Sequence, residues 1–181
     1  MKYFMRLSGV VFLFAISATQ LFADSAAEID AGVDAALNQL LASEPAAAEL
    51  SKVAKGILVY PDVWKAGLIV GGKFGEGALR EGGKTVGYYN TVAASYGLQA
   101  GVQKFGYALF FITDEALAHL KDSKGFEVGV GPSVVVVDKG VAKALTTTTA
   151  KDAIYAFFFN QKGLMAGLGL EGTKITEIDP K

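Results

Sequence analysis

After Gly56 the chain consists of short strand-like segments separated by turn residues, and this pattern constrains the fold more than any other feature. The connections are rich in glycine, asparagine and aspartate, which adopt the backbone conformations of tight turns. The predicted strands cover residues 57–60, 66–77, 84–89, 92–103, 106–112, 126–137, 153–159, 164–170 and 173–178. Because helices do not alternate with these strands, the pattern disfavours a doubly wound parallel sheet. It predicts an antiparallel sheet, a sandwich or a half-closed barrel of about eight strands.

Helical spacing of apolar residues occurs in two places. Over residues 24–55, apolar residues recur every three or four positions among many alanines, which predicts an N-terminal helical segment. Pro45 suits the first turn of its second helix, and Gly56 would end that helix. Residues 113–121 carry one further short helix, for which Thr113 is the expected N-cap. The predicted fold class is therefore α+β: N-terminal helices packed on a strongly twisted, glycine-rich antiparallel β-sheet or half-closed barrel, with one short inserted helix.

Glycine is concentrated in the predicted strands, since 12 of the 22 glycines lie from Gly56 to Gly106. A glycine inside a strand has no side chain to pack, so its presence there needs a structural reason. Strong bending, bulging, or the close approach of another element to the sheet would each supply that reason. We favour bending, although a ligand cavity lined by glycine would give the same pattern.

Residues 1–23 have the composition of a secretory signal. Lys2 and Arg6 give a positive start, an apolar run follows, and Ala23 precedes the expected cleavage point. The alternative is an uncleaved membrane anchor, but the apolar stretch over 7–22 is short for a span of roughly 20 residues. We therefore predict an exported protein that is periplasmic after cleavage. The predicted organisation is a signal peptide at 1–23, a helical segment at 24–55, and a β-rich domain at 56–181 that forms one globular unit with it.

The sequence contains no cysteine and one histidine, which removes several classes of site. Without cysteine there is no disulfide, thiol nucleophile, cysteine-based metal site or acylated lipoprotein anchor. A single histidine excludes a three-histidine zinc centre. Residues 24–51 hold six acids and no base, and bases predominate only over residues 52–111. Since no stretch is basic enough to form a concentrated nucleic-acid face, we predict no nucleic-acid partner.

Two glycine patterns imitate nucleotide-binding loops without the required context. Residues 67–73 have the GxxxxGK spacing, but Phe74 replaces the metal-binding hydroxyl residue, and the segment is predicted as strand. Residues 167–172 fit GxGxxG, yet a strand rather than a helix follows. His119 has no nucleophile signature, and the acidic pair at 114–115 fits the first turn of a helix better than acid–base catalysis. We therefore predict a protein with no catalytic residue, metal, cofactor or nucleotide.

Basic and aromatic residues cluster around the first predicted strand. The candidate lipid-binding residues are Lys52, Lys55, Tyr60, Trp64, Lys65 and Lys73. Lysines beside a tryptophan or tyrosine suit the headgroup level of a membrane, where apolar rings meet water and charge. Trp64 is expected on a turn after Pro61. The competing interpretation is a tryptophan that closes the end of the sheet beneath solvated lysines.

Short segments in a fixed order extend over about residues 45–178. They are residues 55–61, 65–72, 75–77, 97–101, 114–117, 130–132 and 162–172, of which the last reads KGLMAGLGLEG. In this order and spacing the chain resembles the SYLF domain family. The resemblance implies a non-enzymatic lipid-binding module. Eukaryotic members bind phosphoinositides and regulate actin at membranes, and bacterial members are commonly exported.

Two functions follow from these observations as alternatives. Lipid contact in the family is associated with a basic N-terminal helix, whereas residues 24–49 here are acidic and would repel an anionic bilayer. We therefore expect anionic headgroups to meet the lysines at positions 52, 55, 65 and 73. The expected function is a periplasmic, membrane-associated module that binds phospholipid. The alternative is a structural or protein-interaction domain of the cell envelope that binds an envelope protein and no lipid.

Overall fold

The computed structural model describes residues 24–67, 70–96, 101–123, 125–162, 170 and 172–181. Its helices are α1 (Ala26–Ser43), α2 (Pro45–Ser51), α3 (Asp114–Asp122) and α4 (Lys139–Ala144). Its strands are β1 (Gly56–Gly67), β2 (Val70–Glu81), β3 (Lys84–Tyr96), β4 (Gly101–Phe111), β5 (Phe126–Glu127), β6 (Val134–Val136), β7 (Ile154–Lys162) and β8 (Lys174–Ile178). They form one sheet in the order β5-β8-β3-β2-β1-β4-β7-β6. The predicted signal peptide, most of the predicted strand at 164–170 and most of the 167–172 pattern lie outside the described residues.

β1 is longer than the sequence pattern predicts. It continues through Pro61, where the apolar run was expected to end, because a β-bulge between residues 59 and 63 shifts its register against both neighbouring strands. A bulge accommodates an extra residue and tolerates the missing N–H of proline. The expectation that Trp64 lies on a turn is therefore wrong, since Trp64 lies within β1.

The region after α3 contains less strand and more helix than predicted. β5 and β6 occupy only the two ends of the predicted strand at 126–137, and they lie at opposite edges of the sheet. α4 replaces a predicted turn, and the Asp138 carboxylate accepts hydrogen bonds from two backbone N–H groups in its first turn. α2 ends at Ser51 rather than at Gly56. The sheet is mixed rather than wholly antiparallel, since β6 and β7 pair in parallel.

The sheet curls into a half-barrel whose inner face holds the aromatic core. The rings of Phe111 in β4 and Phe126 in β5 lie 6.4 Å apart, although four strands separate β4 from β5 in the sheet. A sheet brings two such strands into contact only by curling towards the face that carries them. α3 packs on the same side through Leu117 and Leu120. The predicted α+β class and half-closed barrel are thus confirmed.

The outer face of the half-barrel carries α1, α2 and α4. Ile29, Val33 and Leu40 of α1 are buried on this face with apolar residues of β1, β2 and β4. Ser25 caps α1 through a capping box, and Pro45 begins α2 as the sequence indicates. Within the described part of the chain, none of the helices combines the length and the apolar character needed to cross a bilayer.

Candidate functional site

The predicted lipid-binding residues lie in separate places: before β1, within β1 and in β2. Lys52 and Lys55 lie between α2 and β1, where they form ion pairs with Glu49 and Asp114, respectively. Trp64 lies towards the other end of β1, about 25 Å from the start of the strand at a rise of about 3.3 Å per residue. Residues that are close in sequence are therefore far apart in space, because an extended strand connects them.

Tyr60 belongs to the interior of the half-barrel. Its ring is buried and lies 4.8 Å from that of Tyr107, and its hydroxyl donates a hydrogen bond to the carbonyl oxygen of Asn90. Burial raises the pKa of Tyr60 well above its usual value, and the neighbouring tyrosines add to this effect. Tyr60 is therefore a core residue, and its side chain does not reach the surface.

Trp64 lies on the outer face, near one end of the sheet. At this end the chain passes from β1 to β2 and from β3 to β4, and we call it the hairpin end. In the strand register Trp64 is flanked by Phe74 of β2 and Lys104 of β4, and Phe74 is flanked in turn by Val92 of β3. Val102 lies two residues further out along β4. The four apolar side chains are between 43% and 64% exposed. With Lys104 they form a continuous surface across four strands, which we call the outer patch.

The outer patch is exposed because α1 crosses the outer face further from the hairpin end and does not cover the patch. The backbone N–H of Asp24, just before α1, donates a hydrogen bond to the Glu76 carboxylate. Further along the helix, Gly32 lies against the ring of Pro61. Glu76 and Pro61 are two and three residues from the patch along β2 and β1. Among the described residues, the helices thus leave the hairpin end of this face uncovered, and exposed apolar surfaces of this kind mark interaction sites.

Lys104 is the charged member of the outer patch and lies at its β4 side. Its Nζ lies 5.0 Å from the centroid of the Trp64 ring, within the range of cation–π attraction. The same atom lies 2.9 Å from the carboxylate of Asp62. The aliphatic part of the side chain can therefore cover apolar surface while the amine stays at its charged border.

Lys65 and Lys73 lie at the hairpin end but on the inner face. They are direct cross-strand partners in the β1–β2 pair, and Gln103 of β4 is the partner of Lys65 on its other side. Lys73 is 6% exposed, and its Nζ lies 5.9 Å from the centroid of the Tyr107 ring. Burial, and after it the positive charge of Lys65, lower the pKa of Lys73 to about 8. The hairpin end thus has an apolar outer face and a cationic inner face.

A family comparison matches the second half of the chain. Residues 92–180 match the model of the family described as Ysc84, Las17-binding protein actin regulator. Over these residues, the chain belongs to the SYLF domain family. The resemblance seen in the sequence is thereby confirmed, and SYLF domains are binding domains. The matched range includes Val92, Val102 and Lys104 of the outer patch. A comparison with curated proteins gave no match.

Four members of the outer patch were not predicted from the sequence: Phe74, Val92, Val102 and Lys104. Their signal is the alternation of side chains along each strand, combined with the register of the β1–β2 and β2–β3 hairpins and of the β1–β4 pair. The bulge around Pro61 concealed it, because a proline after an apolar run indicates the end of a strand. In the part of the SYLF domain that the structure describes, no group of three or more His, Asp or Glu residues could hold a metal ion.

Lys73→Met is expected to stabilise the SYLF domain at neutral pH. Because folding lowers the pKa of Lys73 to about 8 from its usual 10.5, a charged amine at this position opposes folding below pH 8. Between these two values the unfolded chain binds more protons than the folded one, so this group makes stability rise with pH across the window. We expect the free energy of unfolding at pH 7, measured by urea unfolding, to be about 1–2 kcal/mol higher in the variant than in the wild type. The reason is that the substitution removes a costly buried charge.

The pH dependence is best read as a difference between the variant and the wild type. Burial raises the pKa of Tyr89 to about 12 and also raises those of Tyr60 and Tyr107, so both proteins lose stability above pH 10. The difference in the free energy of unfolding between Lys73→Met and the wild type should become smaller from pH 8 to 10.5. Lys84→Met, at an exposed position of β3, is the matched control and should change stability by less than about 0.5 kcal/mol. A gap that is absent at pH 7 would contradict the prediction.

Proposed function

We propose that this SYLF domain is a non-enzymatic module of an exported, periplasmic protein, and that its hairpin end binds the surface of anionic phospholipid membranes. The outer patch carries the proposal: Trp64, Phe74 and Val92 are exposed side by side, next to the amine of Lys104. In this arrangement the apolar side chains enter the boundary between headgroups and acyl chains, and the lysines meet the phosphates.

The side chains of the outer patch suit that boundary. Tryptophan is favoured there because its ring is apolar while its indole N–H can still form a hydrogen bond. Full burial of a large apolar side chain contributes about 1.5–3 kcal/mol. Since the four side chains are roughly half exposed, the patch would contribute about 3–5 kcal/mol in total. An energy of this size supports reversible association rather than permanent insertion.

Charge at the hairpin end favours an anionic bilayer over a neutral one. Residues 63–75 and 91–104 contain three lysines and no acid, and Asp62, directly before the first range, pairs with one of them, Lys104. Lys162 of β7 adds a fourth base at this end, since it is the cross-strand partner of Lys104. Each base near an anionic surface contributes about 1 kcal/mol within a Debye length of about 8 Å. Lys52 and Lys55, at the other end of β1, take no part in this contact.

The acidic helix α1 opposes membrane binding less than its sequence suggests. Asp30 and Asp34 both form ion pairs with Arg80 of β2. Part of the negative charge of α1 is therefore neutralised where the helix meets the sheet. The helix also crosses behind the outer patch, so a membrane that approaches the hairpin end meets the patch first.

Vesicle flotation tests the proposal. The purified protein is mixed with phosphatidylcholine vesicles, with or without phosphatidylglycerol or cardiolipin, at low and at physiological salt. We expect flotation with anionic vesicles that weakens as salt is added, because salt screens the lysines. Salt-insensitive flotation with neutral vesicles would instead indicate apolar insertion or a lipid pocket. Absence of flotation in every condition would overturn the proposal and favour an envelope protein as partner, to be sought by a pull-down.

Val92→Ser should weaken vesicle binding, whereas Val86→Ser should not. Both valines lie in β3 and are similarly exposed, at 44% and 49%, but Val86 lies towards the other end of the strand. The same substitution therefore removes the same group inside and outside the patch. The double variant Trp64→Ser/Phe74→Ser should lower partitioning about tenfold, which corresponds to about 1.4 kcal/mol. Equal losses for the two valine variants would rule out the outer patch as the contact surface.

A further inference from the structure

We propose that a cavity between the two edges of the sheet binds a single linear acyl chain. The cavity has a volume of about 270 Å³ and is lined by residues of the loop 128–133, by strand β6 and by Leu170. We call it the edge cavity, and it shares no residue with the outer patch. The inference deepens the proposed membrane function and rests on it only for the source of the chain. That source is either a membrane phospholipid or a free fatty acid.

The edge cavity lies where the two edges of the curled sheet approach each other. Val128 directly follows β5, whereas Val134 and Val136 belong to β6, and these strands are opposite edges of the sheet. Val128 and Leu170 are buried in the inner core, and Val134 packs against it. Ser133 and Val136, by contrast, are exposed. The cavity therefore runs from the surface to the margin of the core.

The lining suits an apolar chain better than a polar ligand. It consists of apolar side chains, glycines and the hydroxyl of Ser133, and it includes no charged side chain. An apolar cavity is poorly hydrated, so an apolar ligand can enter it without displacing firmly bound water. Two larger cavities have carboxylates in their lining, from Glu44 and Asp138 in one and from Glu177 and Asp179 in the other. Those cavities suit a hydrocarbon chain less well.

The volume fits one narrow chain. Sites for drug-sized ligands occupy about 300–1,000 Å³, and the edge cavity lies just below this range. It is therefore too small for a whole phospholipid. A methylene group takes up roughly 30 Å³, close to the volume of a water molecule in the liquid. The cavity would thus hold about nine carbons of a linear chain.

Two glycines shape the loop that lines the edge cavity. Gly129 has a φ of 100° and Gly131 a φ of 110°, values that residues with a side chain rarely adopt. A Cβ at Gly131 would lie 2.9 Å from Nε2 of His119 in α3. The His119 ring also packs edge-on against that of Phe126, with the centroids 5.7 Å apart. The loop is therefore held against α3 and β5, so this wall of the cavity is formed before a ligand binds.

The strand register places part of the edge cavity near the membrane-binding end. Lys174 of β8 pairs with Val92 of the outer patch. One residue further towards the hairpin end, the carbonyl oxygen of Thr173 accepts a hydrogen bond from the backbone N–H of Val128. Val128 therefore lies near the level of the outer patch, but on the inner side of the sheet. A domain that contacts a bilayer through the patch would hold this wall of the cavity close to the lipid.

Titration with cis-parinaric acid tests the edge cavity. This linear, conjugated fatty acid becomes fluorescent in apolar surroundings, and it is added to the purified protein below the concentration at which it aggregates. We expect saturable binding of one molecule per protein. Absence of binding, or binding of many molecules without saturation, would overturn the proposal.

Competition by saturated fatty acids from hexanoate to tetradecanoate tests the size of the edge cavity. Each additional CH₂ group should strengthen competition about fourfold, because each buried CH₂ contributes a similar free energy. The gain should level off once about nine carbons are enclosed. A gain that continued over the whole series would indicate adsorption to an apolar surface and would overturn the cavity.

Val136→Phe should weaken parinarate binding at least about tenfold, since the ring displaces two or more CH₂ groups at about fourfold each. Val130→Phe is the matched control, because Val130 is 63% exposed and is not among the lining residues. It should change the affinity less than about twofold, a difference typical of a surface substitution. Ser133→Phe changes a second lining residue, at an exposed position outside β6, and should also weaken binding. Wild-type affinity in both lining variants would overturn the site.

Lysophosphatidylglycerol identifies the source of the chain when it competes beside the free fatty acid of the same length. Competition by both supports a phospholipid chain whose headgroup stays outside the cavity, whereas competition by the fatty acid alone supports a free fatty acid. Competition by neither would overturn the site. Parinarate binding without vesicle flotation would overturn the membrane proposal and support the edge cavity. Flotation without parinarate binding would support the membrane proposal and overturn the edge cavity.

Discussion

Gly77→Ala is expected to destabilise the protein by at least about 3 kcal/mol, because a methyl group has no room at this position. An alanine Cβ would lie 2.1 Å from the carbonyl oxygen of Val59 and 2.8 Å from the ring of Tyr60. Val59 belongs to the backbone of β1 where its bulge begins, with β2 on one side and β4 on the other. This backbone cannot move without disturbing both strand pairs. The expected loss is a large fraction of the total stability of about 5–15 kcal/mol that is typical of folded domains.

Gly72→Ala is the matched control, since it makes the same change in the same strand. Its Cβ would lie 3.7 Å from the carbonyl oxygen of Ala93, which is an ordinary contact. We expect a change within about 0.5 kcal/mol, because the gain from a stiffer unfolded chain is small. Both variants are compared by urea unfolding. The slope of the free energy of unfolding against urea concentration has to be the same in both for the comparison to hold. If Gly77→Ala lost less than about 1 kcal/mol, the close approach would not be the reason for glycine at this position.

Asp30→Ala is expected to cost about 2–4 kcal/mol, because it removes several polar contacts between α1 and the sheet. The Asp30 carboxylate accepts hydrogen bonds from the hydroxyls of Thr85, at 2.7 Å, and Tyr88, at 3.0 Å. It also forms an ion pair with Arg80 at 3.3 Å. The Arg80 side chain is only 10% exposed, so water can hardly replace the ion pair with Asp30 that this side chain would lose. Of its two recorded carboxylate partners, only Asp34 would remain.

Asp34→Ala tests the same network from the exposed side. Asp34 lies one turn further along α1, its side chain is 62% exposed, and Arg80 is its recorded ion-pair partner. Exposed pairs contribute little, so we expect a loss of about 0.5–1 kcal/mol. Urea unfolding followed by circular dichroism measures both variants. Equal losses for Asp30→Ala and Asp34→Ala would show that the contacts with Thr85 and Tyr88 do not anchor the helix.

The helix boundaries could be predicted because their signals act over a few residues. Pro45 and Thr113 mark helix starts in the sequence, and each lies at the expected start in the structure. Capping involves N–H groups only two or three residues away, so tertiary contacts seldom override it. α4 was missed because its short segment, preceded by Asp138, has the composition of a turn.

The candidate site could be predicted only in part. Trp64, Lys65 and Lys73 do lie at one end of the sheet, but the structure separates them from Lys52 and Lys55 by the length of β1. Nearness in sequence does not predict nearness in space when the chain between two residues is extended. Only strand pairing brings residues that are distant in sequence into one surface.

The amino-acid sequence by itself determined the α+β class, the helical start, the many short strands and the absence of cysteine chemistry. These features follow from composition and from periodicities that are local to each segment. Only the tertiary structure decided that Trp64 and Phe74 share the outer face while Lys65 and Lys73 share the inner one. The bulge around Pro61 sets this division. Because side chains alternate along a strand, a shift of one residue would turn Trp64 inward and Lys65 outward.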